Sequence, residues 1–179
     1  MGLRSDTCVF LLLGLVLSLI VGCGHLVYSS GPYSGQVVDA ETKQPIAGAA
    51  VIAIWMRETS IGMVAEGDWD CYETLSEANG EFSIPRQTHF TLLGRILDPK
   101  LVVYYPAYAP NGIAELQSEA PAIVPLKHLT TREARISNAG RPIGTLALPW
   151  EKVPSLMRLI NEELKQLGLQ PYRRLGSQP

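Results

Sequence analysis

Short stretches of alternating apolar and polar residues run through the middle of the chain, separated by polar turns. Such alternation over about four to eight residues between turn signals predicts β-strands. The predicted strands are Gln36–Asp39, Ala49–Met56, Trp69–Ser76, Glu81–Pro85, Leu101–Tyr105 and Ala122–Leu126. Because proline donates no backbone hydrogen bond, Pro125 confines the last of these to a sheet edge or a strand end.

The stretch Ala49–Met56 is apolar on both faces of the strand that it predicts. One face carries Val51, Ala53 and Trp55, and the other carries Ile52 and Ile54. A strand that is apolar on both sides is typical of a sheet covered on both faces. We therefore expect this strand to be central, or to lie at a packed edge. With several short strands and turns around it, the pattern predicts an antiparallel β-sandwich over residues 34–127.

A second periodicity appears near the C-terminus. Apolar residues recur at steps of three and four, at Val153, Leu156, Met157, Ile160, Leu164 and Leu167. This spacing predicts an amphipathic helix within residues 153–168, which runs from Pro154 to Leu167 and stops at Gly168. The apolar stripe could pack on the sandwich or dock on a membrane or a partner. Residues 128–152 then form a linker, and residues 169–179 a tail.

The N-terminus has the pattern of a secretory signal. Arg4 precedes an apolar run from Val9 to Val21, which is shorter than the about 20 residues that span a membrane. The run ends in Ile20, Val21, Gly22 and Cys23, which resembles the lipobox of bacterial lipoproteins. That resemblance implies cleavage before Cys23 and a diacylglycerol on its thiol.

The predicted lipid anchor determines where the protein lies. Residues 1–22 form the signal peptide, residues 23–33 form a Gly- and Ser-rich tether, and the mature chain is held in a bacterial envelope membrane. The residue after Cys23 is Gly24. An aspartate at this position would have indicated retention in the inner membrane. The outer membrane is therefore favoured over the inner one if the cell is Gram-negative. Cys71 alone would remain unmodified, and we expect it to be a small buried apolar residue.

Two blocks of sequence carry a further resemblance. "GQVVDAETKQPIAGAAV", residues 35–51, and "TLSEANGEFSIP", residues 74–85, resemble the carboxypeptidase regulatory-like domain. The resemblance implies a transthyretin-like β-sandwich, in which Gly35 and Gly48 supply backbone freedom at turns. It implies no catalytic residues. Ala107, in place of the family's glycine before Tyr108, is one departure from the pattern.

Composition and motifs give little support for catalysis, metal binding or nucleic-acid binding. The net charge is −2 and no basic patch is present. The histidines His25, His89 and His128 have no partner at zinc-ligand spacing. The acidic segment "EGDWD", residues 66–70, is expected to be a solvated loop. The tail "PYRRLGS", residues 171–177, only loosely resembles the Tyr-Arg-Gly-Ser tail of transthyretin-like hydrolases.

The expected function follows from these features. We expect no cofactor, no metal, no catalysis and no nucleic-acid partner, and an anchored module that contacts an envelope protein or a glycan. A candidate contact surface comprises Trp69, Tyr104, Tyr105 and Tyr108. The alternative is a ligand-binding or hydrolytic transthyretin-like protein, which a deep pocket holding His89 or His128 beside a carboxylate would favour.

Overall fold

The structure, a computed structural model, describes residues 27–58, 64–91, 94–116, 120–139 and 150–172. The predicted signal peptide and the lipobox residues Ile20, Val21, Gly22 and Cys23 lie outside these ranges. The described strands are β1 (Val27–Ser30), β2 (Tyr33–Asp39), β3 (Ala50–Glu58), β4 (Val64–Leu75), β5 (Glu81–Ile84), β6 (Gln87–Phe90), β7 (Arg95–Ile96), β8 (Lys100–Tyr104), β9 (Asn111–Glu115) and β10 (Ala122–Leu126). Helix α1 (Arg132–Ala139), a 3-10 helix (Trp150–Lys152) and helix α2 (Pro154–Gln166) follow.

The strands form two larger sheets and a ribbon. One sheet has the order β10-β2-β5, and the other has the order β4-β3-β8-β9, with β7 also paired to β3. Strands β1 and β6 form a separate two-stranded sheet, called the β1–β6 ribbon below. The protein is thus mainly β with a C-terminal helix, as the sequence predicts, and its open sheets are arranged like a sandwich.

One pairing differs from the antiparallel arrangement that the sequence predicts. Strand β10 runs parallel to β2, with Val124 opposite Val37. Parallel neighbours need a long crossover, and here the chain visits the other sheet between β2 and β10. Strand β10 lies at the edge of its sheet, where Pro125 is tolerated, so the predicted edge position is confirmed.

The two-sided burial of β3 organises the layers of the protein. Val51, Ala53 and Trp55 pack against the three-stranded sheet in one core. Ala50, Ile52 and Ile54 pack against the C-terminal helix in a second core. Strand β3 pairs with β4 on one side and β8 on the other, so the prediction of a central strand covered on both faces is confirmed.

Helix α2 supplies the outer layer. Leu156, Ile160 and Leu164 are buried against the five-stranded sheet, so the apolar stripe packs on the sandwich. The carboxylate of Glu73, in β4, accepts hydrogen bonds from the backbone N–H groups of Ser155 and Leu156 at 2.8 and 2.7 Å. A carboxylate at this end also complements the helix dipole. No helix among the described ranges is long and apolar enough to cross a membrane.

Helix α1 lies inside residues 128–152, which the sequence analysis assigns to a linker. It packs against α2 through Arg135, whose guanidinium donates to both carboxylate oxygens of Glu163 at 2.8 and 2.7 Å. Glu163 is buried, and its pairing with Arg135 satisfies a charge that would otherwise be costly. The linker assignment is therefore wrong for residues 132–139.

The predicted tether also differs from the structure. Residues 27–30 lie in β1, which pairs antiparallel with β6, and Tyr33 is buried in the core. The Trp55 indole N–H donates to the hydroxyl of Ser30 at 2.9 Å, which holds β1 on the sandwich. The tether prediction fails here because its Gly and Ser residues flank a strand that bonds to other elements. Only residues 24–26 lie between Cys23, the predicted lipid site, and β1.

The family resemblance implies turn positions for two glycines, and the structure agrees for one of them and differs for the other. Gly48 has a positive φ of 75°, as a turn glycine should. Gly35 instead lies within β2, where an added Cβ would overlap the Ala122 carbonyl oxygen and the Phe82 ring. Its role is therefore a close approach between neighbouring strands and not freedom at a turn.

Burial of α2 generates a first prediction. Ile160→Ala should lower the free energy of unfolding by about 2–5 kcal/mol, because it removes a fully buried side chain between helix and sheet. The control Glu162→Ala, two positions from Ile160, breaks an exposed ion pair with Arg158 and should cost no more than about 0.5 kcal/mol. Urea unfolding measures both, and equal losses would contradict this packing.

Candidate functional site

The β1–β6 ribbon presents two different faces. Val27 pairs with Phe90 and Ser29 with Thr88, and these four side chains are exposed. The two alternate pairs, Tyr28 with His89 and Ser30 with Gln87, turn inward and are more buried. Residues opposite each other in a ribbon share a face, so this alternation gives an outer and an inner surface. The inner surface carries the histidine at the candidate site.

His89 connects the ribbon to the five-stranded sheet. Its Nδ1 lies 3.0 Å from the Asp70 carboxylate, and its ring centroid lies 4.8 Å from that of Trp55. The side chain is only 7% exposed. The other ring nitrogen, Nε2, is buried and has no hydrogen-bond partner among the described residues. A buried polar atom in this state needs an explanation, because leaving it unsatisfied costs free energy.

Asp70 is shared between two partners. Its second oxygen accepts a hydrogen bond from the Lys152 ammonium at 2.8 Å. Burial by itself would raise the pKa of Asp70, but the hydrogen bond and charge of Lys152, together with the charge of His89, bring that pKa below its usual value. The same hydrogen bond raises the pKa of Lys152. The carboxylate is therefore ionised and held in place beside His89.

A cavity of about 330 Å³ lies at this junction and is called the His89 cavity below. It is lined by Trp55, Arg57, Asp70, Thr88, His89, Phe90, Ile96 and Lys152. Three of these side chains are apolar, and the charged ones comprise two cations and one carboxylate. Small-ligand sites commonly combine an apolar wall with a few polar groups in this way. The Lys152 ammonium, which carries three donors and is 47% exposed, suits a ligand with an anionic group.

The described residues around the cavity do not form an evident metal centre. Within the described ranges, no group of three or more histidine, cysteine, aspartate or glutamate residues is placed to hold a metal ion. The acidic segment 66–70 is not the loop that the sequence predicts, because it lies inside β4. Its last member, Asp70, pairs with Lys152 and His89 as an ion-pair partner.

The predicted aromatic surface does not form as a unit. Tyr104 is 1% exposed and packs beneath α2, so its assignment to a contact surface is wrong. Tyr105 and Tyr108 are partly exposed and meet edge to face at 5.8 Å. His128 contacts the Tyr108 ring at 5.1 Å. The backbone of Trp69 lies in β4, but its side chain is outside the described part of the structure.

As the sequence predicts, Cys71 packs against a core, the one under α2, although it is partly and not fully buried. Burial raises the pKa of its thiol to about 11. Since the thiolate is the reactive form, a thiol that stays protonated near neutral pH is a poor nucleophile. The packing role is therefore the one that the structure supports.

The sequence marks His89 as a candidate pocket residue, but it does not predict that His89 contacts Asp70. The two residues are 19 positions apart, in strands of different sheets, and meet only because the ribbon folds back on β3 and β4. Lys152 comes from a third segment. The one local signal was the pattern "QTHF", residues 87–90, in which His89 takes an inward position of a short strand.

Comparisons with known proteins add little to this geometry. No family model matches the chain, and no curated protein matches it. A solved structure with partial similarity is the C-terminal domain of the shaft pilin spaA from Lactobacillus rhamnosus GG. It is 11% identical, with a TM-score of 0.32, and the match covers 57% of this chain and 98% of the pilin domain. A similarity this weak carries no argument about fold or function.

The carboxylate of Asp39, near Tyr108, leads to a prediction about how the stability of the protein depends on pH. Its Oδ1 accepts hydrogen bonds from the backbone N–H groups of Thr42 and Glu41, which lowers its pKa from 3.8 to about 2. A lowered folded pKa adds stability above the unfolded value, and this is lost as pH falls through the folded value. Asp39→Asn should therefore reduce stability at about pH 6, and the difference should shrink as the pH falls and disappear below about pH 2.

Unfolding by urea at several pH values measures this difference. Glu41→Gln is the matched control, because it removes a carboxylate from the same turn while keeping the backbone N–H that bonds to Asp39. A similar pH-dependent loss in that control would assign the effect to net charge and contradict the hydrogen-bond explanation.

Proposed function

We propose that this chain is a bacterial envelope lipoprotein, held in a membrane through Cys23, whose sandwich binds a small anionic ligand without catalysis. The anchor is supported by the lipobox-like residues Ile20, Val21 and Gly22 behind a short apolar run. It is also supported by the start of β1 at Val27, only four residues beyond Cys23. A folded domain directly behind the anchor suits a module that works close to a membrane.

We also propose that the sandwich belongs with the carboxypeptidase regulatory-like, transthyretin-like domains. The two sequence blocks that carry the resemblance become neighbouring antiparallel strands, with Gly35 opposite Phe82 and Gln36 opposite Glu81. Asp39, at the end of the first block, closes the following turn through its carboxylate. These contacts give the motif residues a structural role, which agrees with a family signature that carries no catalytic chemistry.

The buried, unpartnered Nε2 of His89 is the observation that carries the binding proposal. It belongs to a side chain that lines a cavity together with Lys152 and Arg57. A ligand anion would accept a hydrogen bond from the Lys152 ammonium, which has donors beyond its bond to Asp70, and a polar group of the ligand would provide a partner for Nε2 of His89. The apolar wall of Trp55, Phe90 and Ile96 would contact the rest of the ligand.

Hydrolysis is a second candidate, which the Asp70–His89 pair favours. A histidine with Nδ1 bonded to a carboxylate keeps Nε2 as the nitrogen that can take a proton from water or a hydroxyl. Binding is preferred because Nε2 is buried, and no described serine or cysteine side chain lines the cavity. Turnover of activated esters that disappears in His89→Gln would support the second candidate.

The anchor is tested by the intact mass of the mature protein from its native membrane fraction. We expect a chain that begins at Cys23 and carries a diacylglycerol and further acyl groups, since only a thiol can form the thioether. In Cys23→Ala the acyl mass should be absent. An unacylated native protein would contradict the lipoprotein proposal and leave the binding proposal to be tested separately.

The binding site is tested by NMR of the histidine rings in the acylated protein in detergent, with inorganic phosphate as the anionic probe. We expect the ring signals of His89 to shift, whereas those of His128, which contacts Tyr108 outside the cavity, remain in place. Lys152→Met should weaken phosphate binding about tenfold, as expected for one lost charge-assisted hydrogen bond. Lys127→Met, at an exposed position outside the cavity, is the matched control.

The outcomes separate the candidates. A shift of His89 with phosphate that Lys152→Met weakens supports the anion site. Shifts with a neutral sugar but not with phosphate would replace it with glycan recognition. Unchanged His89 signals with either probe would contradict a small-ligand site, and His89 would then serve to hold the ribbon on the sheet.

A further inference from the structure

The outer face of the β1–β6 ribbon has an apolar end and a polar end. Val27 is 50% exposed and Phe90 is 73% exposed, and the two residues are cross-strand partners. At the other end of the same face, Ser29 and Thr88 lie opposite each other with their hydroxyls 3.5 Å apart. Single exposed apolar residues need no explanation, but a paired phenylalanine and valine form a small continuous patch.

The position of this patch along the chain is the decisive observation. Val27 lies four residues after Cys23, so the fully extended chain between them spans at most about 14 Å. An acyl-modified Cys23 has its thioether at the membrane surface. The apolar end of the ribbon is therefore held within about that distance of the bilayer.

We propose that Val27 and Phe90 insert into the surface of the membrane that holds the lipid anchor. This inference rests on the proposed acylation of Cys23. A phenylalanine beside an aliphatic residue is suited to the boundary between headgroups and acyl chains, about 5–10 Å deep. Together with the anchor, this contact fixes the orientation of the domain on the bilayer, where a lipid chain alone would leave it free to rotate.

Another strongly exposed apolar side chain among the described residues supports this choice by contrast. Ile123 is 63% exposed on β10, the edge strand of the three-stranded sheet, and is far along the chain from the anchor. Its cross-strand partner is Gln36, so it has no apolar neighbour in that pair. Val27 and Phe90 combine apolar pairing with a short link to Cys23.

Membrane contact at Phe90 has a consequence for the His89 cavity. Phe90 also lines that cavity, alongside Thr88 and His89. Insertion of Phe90 would therefore bring one wall of the cavity to the bilayer surface. An anionic ligand would then bind at the membrane–water boundary.

Depth-dependent fluorescence quenching tests the orientation. Full-length acylated protein carrying Phe90→Cys is labelled with an environment-sensitive dye and reconstituted in vesicles of phosphatidylethanolamine and phosphatidylglycerol that contain brominated acyl chains. Ile123→Cys is the matched control, and Cys71→Ala in both proteins prevents labelling elsewhere. We expect strong quenching and a blue shift for the dye at position 90, and neither for the dye at position 123.

The intact mass of each labelled protein separates the two possible failures. Acylated protein with equal quenching at both positions, or with no quenching, would overturn the membrane contact and leave the anchor intact. A chain without acyl groups would overturn both. A third outcome is a blue shift of the dye at position 90 that grows with protein concentration, without quenching by the brominated lipid. It would mean that a second copy of the chain covers the patch, and it would also overturn the proposal.

Discussion

The burial of both faces of β3 is the constraint on which the rest of this structure depends. Alternate residues point to opposite sides of a strand, and here both sets are apolar. One sheet beside β3 would cover only Val51, Ala53 and Trp55. Ile52 and Ile54 would remain in water, at a cost of about 1.5–3 kcal/mol for each large side chain. A second covering layer is therefore required, and α2 provides it.

The candidate site follows from how the ribbon meets these layers. The Trp55 ring contacts His89, and the Trp55 indole N–H bonds to Ser30, so one residue at the end of the inner core holds both strands of the ribbon. Lys152 reaches Asp70 from the segment that leads into α2. The His89 cavity thus lies where ribbon, sheet and helix segment meet. Its polar groups come from three separate parts of the chain.

Much of the fold could be predicted because its signals are local. The two-faced apolar run predicts β3, and the spacing of three and four predicts α2, whose observed end differs by one residue from Leu167. Strand β10 was also predicted with its observed bounds. Such elements are stabilised by patterns that a single segment carries.

The elements that were missed depend on partners elsewhere in the chain. Strands β1 and β6 are four residues each and contain serine, glutamine and threonine, so their alternation is weak until Tyr28 and His89 meet across the ribbon. Helix α1 contains few apolar residues and is held by Arg135 to a buried glutamate of α2. The pairing of His89 with Asp70 likewise needs three-dimensional proximity, which spacing along the chain does not reveal.

Hydrogen exchange of the β3 backbone amides tests most directly whether this two-faced strand organises the protein. The amides of Ile52, Ala53 and Ile54 lie between β4 and β8 and under two cores. They should exchange only through global unfolding, with a free energy of opening equal to that measured by urea. Amides of the edge strand β10 should exchange more readily. Exchange of the β3 amides through a smaller local opening, at a rate like that of β10, would contradict the account.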